Sequence, residues 1–172
     1  MTRDADNLAS RWARAGAMFN AKPSSESPDL EELLVDTAKA ARGDARLFTM
    51  AASWLAENSQ LVNQRRLATL IRQCLAGKEC AVMGFLLDTA AHCSQARFDE
   101  AISACEPAPR LEPVFDIYIR NPAIRRLAEK QASPLARKWN LLAPEIRLKP
   151  NAILTRARIL ANNPSYQKRI SA

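Results

Sequence analysis

A chain of 172 residues with 25 Lys and Arg against 18 Asp and Glu, 48% hydrophobic residues, four Gly and ten Pro is long enough for one core or two small ones, and too apolar for the disordered class. Its one histidine, His92, leaves little from which to build a His-based triad or a two-His zinc site, and glycines at 16, 43, 77 and 84 are too scattered for a phosphate-cradling loop. The longest apolar run, Ala81–Leu87, is far short of the roughly twenty residues of a membrane span, and the start MTRDAD is charged rather than secretory, so a cytoplasmic chain without membrane association is expected.

Helical periodicity then dominates. Leu8, Trp12, Ala15 and Phe19 predict an amphipathic helix over 5–19, followed by the polar linker AKPSSES. Ser27-Pro28-Asp29 offers a cap, a proline at the first helical position and an acid in the first turn, ahead of Leu30, Leu33, Leu34, Ala38 and Ala41 on one face. Gly43 stops that helix and Asp44 caps the next, which carries Leu47, Ala51, Trp54 and Leu55. Asn63 caps a fourth helix with Leu67, Leu70, Ile71, Cys74 and Leu75 inward, closed by Gly77. The fifth, Glu79 to Cys93, is apolar around most of its circumference and is expected at the centre of the bundle, with a short helix over 97–105 after it.

The segment 106–113 has three prolines in eight residues and is the best domain boundary. Three parts are therefore expected: an N-terminal amphipathic helix (1–20), a helical bundle for assembly or scaffolding (28–106) and a basic helical domain (107–172). Within the last, Val114 to Ile119 reads as a short strand or a helical turn, and Asn121-Pro122 opens a helix with Ile124, Leu127 and Ala128 inward. Ser133-Pro134 caps another helix carrying Leu135, Trp139 and Leu142, the extended PEIRLK (144–149) is a candidate second strand, and Asn151 caps a last helix. The fold class is all-α: a helical bundle followed by a small basic helical domain with one or two short strands, winged-helix-like.

Charge is unevenly placed. Residues 107–172 hold thirteen basic and four acidic side chains, so the whole positive excess lies in the last third and points to a polyanionic partner, with DNA favoured. Within it, IRRLAEKQASPLARKWNLL (124–142) resembles a bacterial helix-turn-helix. Leu127-Ala128 sit in the first helix, Ala132 near the turn, Ser133-Pro134 open the second helix, and Arg137-Lys138 face outward beside Leu135 and Trp139. The turn is one residue short of the usual pattern, and Ala132 stands where glycine is usual. The resemblance implies that Arg137, Lys138 and Asn140 approach bases or flanking phosphates while Arg125, Arg126 and Lys130 clamp phosphate from the preceding helix. Arg147 and Lys149 share one face of the PEIRLK wing, and Arg156 and Arg158 extend the basic surface.

No catalytic constellation, metal site or cofactor is expected. The early acids Glu31 and Glu32 are explained by the helix dipole, Glu32 and Asp36 sit opposite the leucine face in solvent, and His92 beside Cys93 is not a nucleophile-base pair by adjacency alone. The cysteines at 74, 80, 93 and 105 lack paired C-x-x-C spacing and are expected reduced, with Cys74 and Cys105 on apolar faces. A non-enzymatic DNA-associated regulator or accessory factor is therefore the first expectation, with homodimerisation suited to a DNA reader of this size. The alternative is a helical adaptor whose basic end docks an acidic protein.

Overall fold

The structure, a computed structural model, describes residues 3–17, 22, 24–116, 121–146 and 148. The expected last helix with Arg156 and Arg158, the wing residues Arg147 and Lys149, and Ile117–Ile119 lie outside the described residues.

The described chain is mostly helical: α1 (Arg3–Arg14), α2 (Leu30–Ala40), α3 (Ala45–Asn58), a 3-10 turn (Ser59–Leu61), α4 (Gln64–Cys74), α5 (Gly77–His92), α6 (Asp99–Ile102), β1 (Glu112–Pro113), α7 (Pro122–Gln131), α8 (Pro134–Lys138) and β2 (Leu141–Leu142). None of the helices is long and apolar enough to cross a membrane.

Local chemistry sets most helix starts. Asp44 accepts from Arg46 and Leu47 N–H, Asn63 from Arg66 N–H, Asn121 from Ala123 N–H and Ser133 from Ala136 N–H, each satisfying donors that a helix N-terminus leaves unpaired. At α2 the cap is Asp29, accepting from Glu32 N–H, rather than Ser27. The first helix ends at Arg14, well before Phe19, because Gly16 takes a left-handed φ of 92° and Ala17 N–H turns back to Trp12 C=O.

The core is assembled around α5, which buries ten of its sixteen residues and packs against α2, α3, α6 and α8. Phe48 of α3 stacks on Phe85 of α5 with centroids 5.1 Å apart, and Trp12 meets Trp54 edge-on at 5.4 Å. Both of these indoles keep a partner for their N–H: Trp12 donates to Thr37 Oγ1 and Trp54 to Ala15 C=O, each at 2.9 Å. Cys74, expected inward, is exposed, because Leu67, Ile71 and Leu75 at four-residue spacing take the inward positions of α4 and its end.

The proline-rich segment expected to separate two units runs along the bundle. Ala108, Val114 and Phe115, with Ala136, Trp139, Leu141 and Ala143, belong to the same buried cluster as the helices before them. Phe115 meets Phe48 edge-on at 6.0 Å, and Asp116 closes on the turn after α2, its N–H bonding Arg42 C=O at 2.8 Å and its carboxylate pairing the Arg42 guanidinium at 3.1 Å.

The strands differ from the expected pair. β1 and β2 are two residues each and parallel, whereas a wing is built on an antiparallel hairpin, and neither Val114–Asp116 nor Pro144–Ile146 is a strand. Ala108, Glu112 and Val114 N–H donate to Trp139, Asn140 and Leu142 C=O, so Pro113, which has no N–H, falls at the position where none is needed.

Candidate functional site

The described candidate residues of the last third are carried by α7, α8 and the turn that leads into β2, and one carboxylate fixes α8 to the bundle. Asp88 of α5, 12% exposed at its side chain, accepts with a single oxygen from Trp139 Nε1 at 2.7 Å and from Lys138 Nζ at 2.6 Å. Lys138 also lies over the Trp139 ring, 5.1 Å from its centroid. The ring covers Gly84: a Cβ there would sit within 2.6 Å of Trp139 Cζ2, so only glycine lets the indole lie against α5. Trp139 is therefore a buried anchor, 3% exposed, and its hydrogen bond is charge-assisted.

The neighbours of Lys138 are also engaged within the fold. Arg137 donates from Nη2 to Glu129 C=O at 2.7 Å, answering a carbonyl that the end of α7 leaves unpaired. Asn140, at a left-handed φ of 54°, ends the turn after α8 and donates from Nδ2 to Ala108 C=O at 2.7 Å, tying the proline-rich segment to β2. The second helix of the helix-turn-helix resemblance, α8, is five residues long, under two turns.

By contrast, α7 stands clear of the body. Ala128 is its one buried residue, and Leu127, expected inward, is 52% exposed, because the helix rests on the protein along its Ala128 side. Arg125 pairs with Glu129 one turn on at 3.2 Å. Arg126 and Lys130 are exposed and make no ion pair among the described residues. The described surface thus separates two sets of candidate cations: Arg126 and Lys130 point into solvent, while Arg137, Lys138 and Asn140 have protein partners.

One cleft borders this region and another lies between the end of α2 and the start of α5. One of about 600 Å³ lies where α5 ends, lined by Phe85, His92, Cys93, Ser133, Leu135 and Glu145 among others. Ser133 Oγ is already the cap of α8, and no hydrogen bond joins His92 to Cys93 or Ser133, so the nucleophile-base contact that acyl transfer needs is not formed between them. The other, of about 340 Å³, brings Lys39, Arg42, Lys78 and Glu79 together. Burial, with the adjacent Arg42 charge, lowers the Lys78 ammonium below the usual lysine value. Among the described residues no three His, Cys, Asp or Glu side chains converge as a metal site.

Glu31, expected to be explained by the helix dipole, is a buried carboxylate elsewhere in the bundle. Glu31, fully buried, accepts the N–H of Asn63 at 2.7 Å, while Arg66 bridges Asp29 at 2.6 Å and Glu32 at 3.4 Å. The N-terminal turns of α2 and α4 are thereby joined by one network. Arg66 and the Asn63 N–H tie the three carboxylates of the α2 start to the start of α4, which holds the two helices in register.

No protein family, curated protein or solved structure matches this chain.

Proposed function

We propose that the protein is a non-enzymatic nucleic-acid-associated factor, DNA being the favoured partner, that contacts phosphate through its basic last third. The observation that carries this reading is α7: an exposed helix whose Arg126 and Lys130 make no ion pair among the described residues, inside a stretch of thirteen basic and four acidic residues. Arg125 and the basic residues beyond the described part, Arg147, Lys149, Arg156 and Arg158, would extend the same surface. The helical bundle of α1 to α6 presents it. For Lys138 to reach phosphate it must leave Asp88, and Arg137 must leave the α7 carbonyls, so in this reading they act after Arg126 and Lys130 rather than before.

The test is charge reversal on α7. Arg126→Glu with Lys130→Glu should abolish binding of a labelled duplex while leaving the melting temperature unchanged, since neither side chain holds the fold. Undiminished binding would remove α7 from the interface.

The second reading, an adaptor docking an acidic protein, is favoured by one observation: Leu127 is exposed among the basic side chains of α7, and phosphate backbone has no use for it. Homodimerisation belongs to the proposal as well; a monomer by light scattering at high concentration would remove it.

A further inference from the structure

The four cysteines divide by environment. Cys74 and Cys93 are exposed, Cys80 is buried in the first turns of α5, and Cys105 is half-buried just beyond α6. Cys80 Sγ lies between the two residues that flank Cys105 in the chain: Ala104 C=O is 3.9 Å away, and Glu106 N–H donates to the sulfur at 3.3 Å. The thiol of Cys105 donates to Ala101 C=O at 3.4 Å, one turn back. Cys80 Sγ thus packs against the backbone on both sides of Cys105, a residue 25 positions on in sequence, and no third ligand accompanies the two thiols to make a metal site among the described residues.

We propose that Cys80 and Cys105 are a peroxide-responsive thiol pair, oxidised to a disulfide that bolts the start of α5 to the proline-rich segment. The chemistry assigns different roles to the two sulfurs. Cys80 is the nucleophile: its sulfur accepts the Glu106 N–H at 3.3 Å, and the neighbouring Cys105 thiol together with that N–H brings it down to about 6 from the ordinary thiol value, against the opposing effects of burial and the Glu106 carboxylate. Cys105 keeps its proton to well above the ordinary thiol range, held by the Cys80 sulfur, by burial and by the Asp88 charge, and is the resolving thiol. The Cys80 thiolate attacks hydrogen peroxide, forming an S–O bond and releasing hydroxide as the O–O bond breaks. Cys105 then attacks the sulfenic sulfur, and its proton leaves with the sulfenic oxygen as water. Two thiols are oxidised and one peroxide is reduced. Because Cys80 is enclosed, the small oxidant peroxide reaches it, whereas a bulky disulfide does not.

The consequence falls on the C-terminal elements. Cys105 leads directly into the stretch that pairs with 139–142 and carries β1, so the bond restrains the strand that positions Trp139 and Asn140. The full-length Cys74→Ser/Cys93→Ser variant tests the proposal with hydrogen peroxide as the probe. The expected result is joint loss of both remaining thiols, counted under denaturing conditions, a fall in intact mass by two hydrogens, a monomer on a non-reducing gel, reversal by dithiothreitol and a raised melting temperature. Adding Cys105→Ser should convert the product into oxygen adducts of Cys80. Oxygen addition with both thiols present, disulfide-linked dimers, or thiols that survive peroxide would overturn the proposal. Chymotryptic mapping of the oxidised wild-type chain, which cuts between Cys80 and Cys93, reads the same linkage if the variant does not fold.

Discussion

Replacing Gly84 by alanine tests whether the contact between α5 and Trp139 holds the C-terminal elements in place. Helix propensity alone predicts that Gly84→Ala, deep inside α5, stabilises by about 1 kcal/mol. The geometry predicts the opposite. The new methyl would fall inside contact distance of three atoms of a rigid indole, so the ring must retreat by about 1 Å to restore ordinary carbon separations of roughly 3.5 Å. That displacement breaks the 2.7 Å bond from Trp139 Nε1 to Asp88, leaving a nearly buried carboxylate with Lys138 alone. Overpacking costs about 1–3 kcal/mol and loss of a charge-assisted hydrogen bond about 1.5–3 kcal/mol. With the propensity gain set against them, the net loss is about 2–4 kcal/mol. Urea unfolding followed by circular dichroism gives this directly, and a shift of Trp139 fluorescence toward the solvent-exposed wavelength locates it. A variant as stable as the parent, or more so, would refute the reasoning.

Other substitutions separate the remaining parts of the account. Glu31→Ala leaves the Asn63 N–H without its buried acceptor and should cost about 2–4 kcal/mol in urea unfolding, whereas Glu31→Gln keeps an acceptor oxygen and should cost less than half as much; equal costs would show that the bond does not matter. The thiol pair makes stability depend on pH. Folded Cys80 ionises near about 6 and the unfolded chain near 9.0, so between them the unfolded state binds more protons and stability rises with pH; it is lost again as pH falls through 6. Cys105, raised in the fold, works in the other direction above 9.0, where stability should decline. Urea midpoints of the parent and of Cys80→Ser across pH 5.5 to 10 should therefore diverge in shape, and parallel profiles would contradict the assignment. Leu127→Ser should leave duplex affinity within about twofold, since apolar side chains do not contact phosphate. A loss of binding to an acidic protein partner on the same change would instead support the adaptor reading.

Much of the helical frame could be read from single residues. Asp44, Asn63, Asn121 and Ser133 are caps whose effect is confined to one turn, and the all-round apolarity of 79–93 marked the central helix, so these features needed no knowledge of partners. What local pattern could not supply was pairing across the chain. Leu127 fits an apolar face, yet α7 has little body against which to bury it. Glu31 sits in a first turn where the helix dipole already explains an acid, and its burial follows from where α4 starts rather than from anything in α2. Arg137, Lys138 and Asn140 look like outward polar groups from their spacing. Their partners, the carbonyls of Glu129 and Ala108 and the carboxylate of Asp88, lie eight, 32 and 50 residues away. The strands are shorter and earlier than the β-branched run because backbone pairing with 139–142 chose the register.

The central claim, that the basic last third meets nucleic-acid phosphate through α7, is most directly tested by fluorescence anisotropy of a labelled random duplex titrated with the full-length protein at several salt concentrations. The account predicts binding that weakens linearly in log affinity against log salt, with a slope that falls by about 2 when Arg126 and Lys130 are both replaced by alanine. Absence of binding at low salt, or a slope unchanged by the two substitutions, would contradict it.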